Sequence, residues 1–246
     1  MADYRNPQMS AQTGARAAHI DEGLRAHMNK VYGLMSLAML VTAGLAYVIG
    51  TSTTLFNAIY GTPLQYAVFF GPLALVLFLN FSFAKLSVVT LNGIFWAYAA
   101  LTGASLGYIF VFFNIGQIFT AFLITSVAFL GLSLVGYTTK RDLGPIGAFL
   151  IMGAWGLVAL SLSMWIFGFG GEPMFFAINL LSLVIFAGLT AYYTQSIKND
   201  YIQARTIGGP EAEMYIEKAA IIGALSLYIS FIAMFRSLLY LLNSGE

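Results

Sequence analysis

The chain of 246 residues contains no cysteine. This excludes disulfides, thiolate metal centres and cysteine nucleophiles. Charge is nearly as scarce: 9% of residues are Asp, Glu, Lys or Arg, against 59% hydrophobic residues and a mean hydropathy of +0.83. A soluble domain carries roughly 25% charged residues. A chain this poor in charge cannot cover a water-facing surface of its size, so lipid is its solvent. The formal net charge of +1 leaves no basic surface for a nucleic acid. The first thirty residues lack an apolar core, so no secretory signal peptide is expected there. No period-2 strand pattern occurs, and hence no glycine-rich phosphate loop after a strand.

What is present is a series of long apolar runs. A bilayer core about 30 Å thick needs roughly 20 apolar residues per helical span. Seven runs meet that length: Val31–Gly50, Gln65–Phe83, Val88–Phe112, Ile118–Tyr137, Pro145–Gly168, Met174–Thr194 and Ala219–Leu242. Backbone groups cannot stay unpaired in lipid, so these runs are expected to be helices. The expected fold is all-α, a polytopic membrane bundle of about seven transmembrane helices. Residues 1–19 are expected to form a disordered cytoplasmic tail, and 20–246 the membrane domain.

The loops alternate in charge. Thr51–Leu64 and Phe113–Gln117 carry no charge, and Phe169–Pro173 carries only Glu172. The other connections hold Lys85, Lys140, Arg141, Lys198, Arg205 and Lys218, and the N-terminal segment adds Arg5, Arg16, Arg25 and Lys30. Every lysine and arginine except Arg236 thus falls on one side, which the positive-inside rule makes cytoplasmic. Ile20, Leu24 and Met28 recur at spacings of four and predict a short amphipathic helix on the inner surface, leading into the first span. Lys198–Lys218, with Gly208, Gly209 and Pro210, is expected to be a cytoplasmic loop.

The last span has the most informative pattern. Ala219, Gly223, Ser226, Ser230, Ala233 and Ser237 recur at spacings of four and three, a seam of small residues along one face. Such a seam either lets helices pack closely or lines a narrow polar path. Gly103 and Gly107 form a similar pair in the third span, where packing is the simpler reading. Arg236 is the one charge well inside a span, roughly 100° around the helix from the seam. Intramembrane charges are rare and default to a functional reading. With no intramembrane carboxylate to neutralise it, Arg236 either pairs with a carbonyl or snorkels to the nearer surface. Asn80, Asn92 and Asn179 lie near span ends, where water satisfies an amide.

Catalytic groupings are missing. His19 and His27 lie in the N-terminal segment and form no metal-ligand spacing. No serine has a histidine and an acid placed for a hydrolytic triad. Glu172 stands alone, so no paired-carboxylate site exists in the membrane. The chain is therefore not expected to be an enzyme, and no cofactor or metal site is expected.

One series of fragments is familiar. Ile20-Asp21-Glu22-Gly23-Leu24-Arg25 with Lys30-Val31-Tyr32, Gly71-Pro72-Leu73, Phe119-Thr120-Ala121 through Gly136-Tyr137-Thr138-Thr139-Lys140-Arg141-Asp142-Leu143, Phe186-Ala187-Gly188-Leu189-Thr190-Ala191 and Gly223-Ala224-Leu225-Ser226-Leu227-Tyr228 resemble bacterial members of the Bax inhibitor-1 family, in order, over about residues 20–240. The resemblance implies a bacterial inner-membrane protein linked to calcium leak, stress survival and, in some relatives, modulation of a membrane protease. It also implies a gate: an aspartate on each of the last two helices, sharing a proton, latched by an arginine on the second helix.

This sequence departs from that gate at all three places. The Asp-Thr-Gln motif reads Tyr193-Thr194-Gln195, the Asp-Phe-Ile motif reads Ser230-Phe231-Ile232, and Ser82 stands where the latch arginine falls. Losing the acids alone would strand a buried arginine, whereas losing all three leaves a neutral site. The gate and pore candidates are Tyr193, Ser230, Ser82, Ser226 and Arg236. The expected function is a calcium or cation leak path without the carboxylate pH gate. The alternative is an interaction protein that regulates a membrane protease or another membrane partner.

Overall fold

The computed structural model describes the backbone from Pro7 to Ser244 and the side chains from Ile20 onward, except that of Ala84. Of the expected disordered tail, residues 1–6 lie outside the described residues, and the backbone from Pro7 is helical in α1. Among the described residues the fold is all-helical, with α1 (Pro7–Thr51), α2 (Thr53–Tyr60), α3 (Leu64–Ser82), α4 (Val88–Leu106), α5 (Ile109–Phe112), α6 (Ile115–Thr138), α7 (Gly144–Phe167), α8 (Glu172–Ile207) and α9 (Pro210–Asn243), plus a 3-10 turn at Phe83–Lys85. Seven of the helical stretches are long and apolar enough to cross a membrane. Large apolar side chains such as Phe81, Phe112, Val127, Phe149 and Phe167 point outward. Lipid accommodates that surface and water does not. The chain is a polytopic membrane protein.

The centre of the bundle is α9, which has the largest buried share of any span. Helix α8 packs along it, α1, α4 and α6 surround it, α3 rests on α4, and α7 rests on α8. Small residues set the close approaches. A Cβ on Gly103 would stand 2.8 Å from the Thr42 carbonyl oxygen, and one on Gly107 would stand 2.9 Å from Ile49. The Gly103–Gly107 pair is therefore a packing surface for α1. At Gly107 the third span breaks into α4 and α5. There the Tyr60 hydroxyl donates to the Ala104 carbonyl at 2.7 Å and accepts the Tyr108 amide at 3.2 Å, supplying partners the break would strand.

Two expectations need correction. The segment Lys198–Lys218 is not a loop: α8 runs to Ile207 and α9 begins at Pro210. Only Gly208 and Gly209 separate them, both at positive φ (73° and 89°), followed by Pro210 in the first turn of α9. Helix persists because Tyr201, Ala204, Ala212 and Ile216 are buried in the same core as Leu24 and Met28 of α1. For the same reason Ile20–Lys30 is an unbroken continuation of the first span rather than a separate surface helix. His27 is 6% exposed and lies 4.9 Å from the Tyr201 ring, so it is packed, not part of a solvated tail. His19 lies outside the described side chains.

Candidate functional site

Helices α3 and α7 do not pack on one another along their length. Between them, floored by α8 and α9, lies a crevice of about 1020 Å³. At the end away from the basic loops it is bridged by aromatic contacts of Tyr66 and Phe70 with Trp165, at ring separations of 6.4 and 5.5 Å. At the basic end it is lined by Phe83, Asp200 and Tyr215.

The small-residue seam faces this crevice. Ala219, Gly223, Ser226, Ala233 and Ser237 all line it. Gly223 also serves packing, since a Cβ there would stand 2.8 Å from Ile197. Ser230 is the exception. It is fully buried, and its hydroxyl donates to the Ser226 carbonyl at 3.0 Å. Serine hydroxyls in helices commonly bond back to the preceding turn, as Ser126 and Ser163 also do here. Among the described residues no such partner is found for Ser161, Ser182, Ser226 or Ser237, and all four line the crevice. The crevice is therefore apolar in its walls and dotted with free hydroxyls along its length.

The five candidates are partly assembled. Contacts of Ile197 with Gly223 and of Thr190 with Met234 fix the register of α8 against α9. That register sets Tyr193 level with Ser230. Tyr193 lines the crevice beside Tyr192, with ring centroids 5.3 Å apart, while Ser230 turns into the dry core. The two positions face one helix pair, but only Tyr193 and Ser226 reach the cavity. Ser82 ends α3 half-buried and is not among the lining residues, where its neighbours Leu79, Asn80 and Phe83 are. Ser82 therefore does not share the crevice that Tyr193 lines.

Arg236 lines the crevice. Two residues beyond Met234, it lies about 3 Å outward of Thr190, well inside the apolar run of α8. Among the described residues it has neither an ion pair nor a hydrogen bond. Of the two expectations, a carbonyl partner is not found there, and Arg236 is exposed along the crevice. The amide nitrogens of Asn80 and Asn179 simply bond back to the Val76 and Phe175 carbonyls at 3.1 and 2.9 Å.

Sequence reasoning missed Asp200. It is half-buried in the crevice mouth and accepts from the Ser196 hydroxyl at 3.4 Å. Reading Lys198–Lys218 as a loop hid it. Continuing the helical phase of α8 past Thr194 would have found it, since Tyr193, Ser196 and Asp200 share one face. Reasoning from sequence also missed a buried network. Thr42 donates to the Ala99 carbonyl at 2.9 Å and pairs with the Tyr228 hydroxyl at 2.6 Å, and the Tyr228 ring meets Tyr98 edge-on at 5.8 Å.

Beneath the crevice, two segments singled out in the sequence meet. The Gln195 amide nitrogen donates to the Arg141 carbonyl at 2.8 Å, and its oxygen accepts the Leu143 amide at 2.8 Å. Lys198 Nζ donates to the Tyr137 carbonyl at 2.9 Å and sits 5.1 Å from the Tyr137 ring centroid. Among the described residues no group of three His, Asp or Glu is placed to hold a metal ion.

Comparison with known proteins points to one family. The family profile described as "Inhibitor of apoptosis-promoting Bax1" matches residues 24–246. An uncharacterized protein of Caulobacter vibrioides is 38% identical over 230 residues, covering 89% of each chain. The Rickettsia prowazekii protein RP147 is 34% identical over 244 residues, covering 99% of each. The inner membrane protein YbhL of Escherichia coli is 35% identical over 221 residues, covering 88% of this chain and 91% of YbhL.

Proposed function

Because this chain belongs to the Bax inhibitor-1 family, we propose that it is a slow leak path for small cations, calcium among them, running through the crevice between α3 and α7. The observation that carries this reading is the seam on α9. Five of its six small residues line one cavity that has Asp200 at its basic mouth and unpartnered hydroxyls along its length. On this reading the chain is not an enzyme. It resides in a bacterial inner membrane, as the name of YbhL says of that relative, with its N-terminal segment in the cytoplasm.

The carboxylate pH gate is absent on this reading. Tyr193 and Ser230 occupy its two positions, and neither titrates near neutrality. Purified protein in liposomes with an entrapped calcium dye should admit calcium faster than empty liposomes do. The rate should show no sigmoidal step between about pH 6 and about pH 8. A calcium signal equal to that of empty liposomes removes the leak reading, and a sigmoidal step near neutrality removes the ungated form of it.

A second reading is favoured by the ends of α8 and α9. They continue as buried, ordered helix beyond the apolar layer and are tied by the Arg205–Glu213 ion pair. This forms a folded surface on the basic side on which a membrane protease or other partner can dock. Crosslinking in native membranes would recover such a complex, and recovery of monomer or homo-oligomer alone counts against it.

A further inference from the structure

The crevice lining carries two charged residues, Asp200 and Arg236. The α8–α9 contacts separate them by about 18 to 24 Å along the bundle axis, far beyond ion-pair distance. Helical side chains lean toward the N-terminus of their helix. The Cα–Cβ bond of Arg236 is therefore tilted toward the basic end of the crevice, the end that holds Asp200. Around it the lining is neutral, with Tyr98, Phe186, Ile229, Ala233 and Ser237.

A fixed positive charge on the wall of a crevice with apolar sides opposes every cation that approaches it, and a divalent ion meets twice the repulsion of a monovalent one. Asp200, at the mouth, attracts cations but lies too far away to cancel that field. We propose that Arg236 is the selectivity-determining residue of this path: a mid-crevice electrostatic barrier that lets monovalent cations leak faster than calcium. The inference rests on the crevice being an ion path, as proposed above.

The test uses the full chain in liposomes loaded with calcium-sensitive or potassium-sensitive dye, comparing wild type, Arg236→Gln and Arg236→Lys. Arg236→Gln should raise the calcium-to-potassium flux ratio about tenfold, and Arg236→Lys should keep the wild-type ratio. A ratio is chosen because loss of folded protein scales both fluxes alike. An unchanged ratio in Arg236→Gln, with flux measurable, overturns the role of Arg236 while leaving the leak reading intact. Flux equal to empty liposomes in all three proteins overturns the leak reading, and the inference with it.

Discussion

Tyr228 and Thr42 share a 2.6 Å hydrogen bond between α9 and α1 in a core from which Tyr228 is wholly excluded from solvent. Thr42 spends its own proton on the Ala99 carbonyl, so Tyr228 is the donor. Interhelical hydrogen bonds inside membranes are worth about 0.6 to 2 kcal/mol. Tyr228→Phe should cost about 1 kcal/mol. Thr42→Val should cost more, about 2 kcal/mol, because it leaves the buried Tyr228 hydroxyl without its acceptor. Reversible unfolding in detergent, run as a double-mutant cycle, reads both. Equal costs for the two single variants would contradict the donor assignment.

Gln195 holds the turn between α6 and α7 by both faces of its amide, through Arg141 and Leu143. Gln195→Leu removes donor and acceptor together and strands two backbone groups, at a cost of about 2 kcal/mol. Proteolysis of the 139–143 turn should accelerate before global unfolding does. Unchanged cleavage in that variant would mean the turn is held by other contacts.

Gly136 lies against Ala191 so closely that a Cβ would overlap the Ala191 carbonyl oxygen. Backbone cannot yield as a side-chain tip can. Gly136→Ala should therefore force α6 away from α8 and destabilise the bundle by about 1 to 3 kcal/mol. Gly131, with open space around its α-carbon, provides the control. Gly131→Ala should be neutral or slightly stabilising in the same unfolding assay, since it removes only the flexibility of glycine within a helix.

Restoring both acids, Tyr193→Asp with Ser230→Asp, should install a pH response. The two positions are level across α8 and α9 and one of them is fully buried, so burial and mutual repulsion raise the pair's apparent pKa above the unfolded value. A group whose folded pKa is raised in this way favours folding while protonated. Relative to the wild type, the double variant should lose stability as pH rises from about 5 to about 8. Its leak should acquire a step over the same window. A flat double variant would show that the two positions do not couple.

The seven spans were legible because lipid leaves the backbone only one choice, and length with apolarity reveals it. The end of α8 was not. Lys198, Asn199, Asp200, Gln203 and Arg205 look like loop residues when read locally. They stay helical because Tyr201 and Ala204 are buried with α1, a tertiary contact no local pattern contains. Misreading that stretch hid Asp200. The seam on α9 was visible, but the space it faces was not, because that depends on α3 and α7 standing apart. Ser82 was placed by analogy with a motif, and the half-turn between it and the lining residues Asn80 and Phe83 lies below what such an analogy resolves.

Helix α3 leans mainly on α4, and α7 on α8, while α8 and α9 are bound to one another along much of their length and α1 packs on α4 and α9. Mechanical compliance is therefore unevenly distributed. The two walls of the crevice are hinged outriggers, and its floor is a rigid keel. Widening the passage requires tilting a wall and parting Trp165 from Tyr66 and Phe70, with no rearrangement of the central pair of helices.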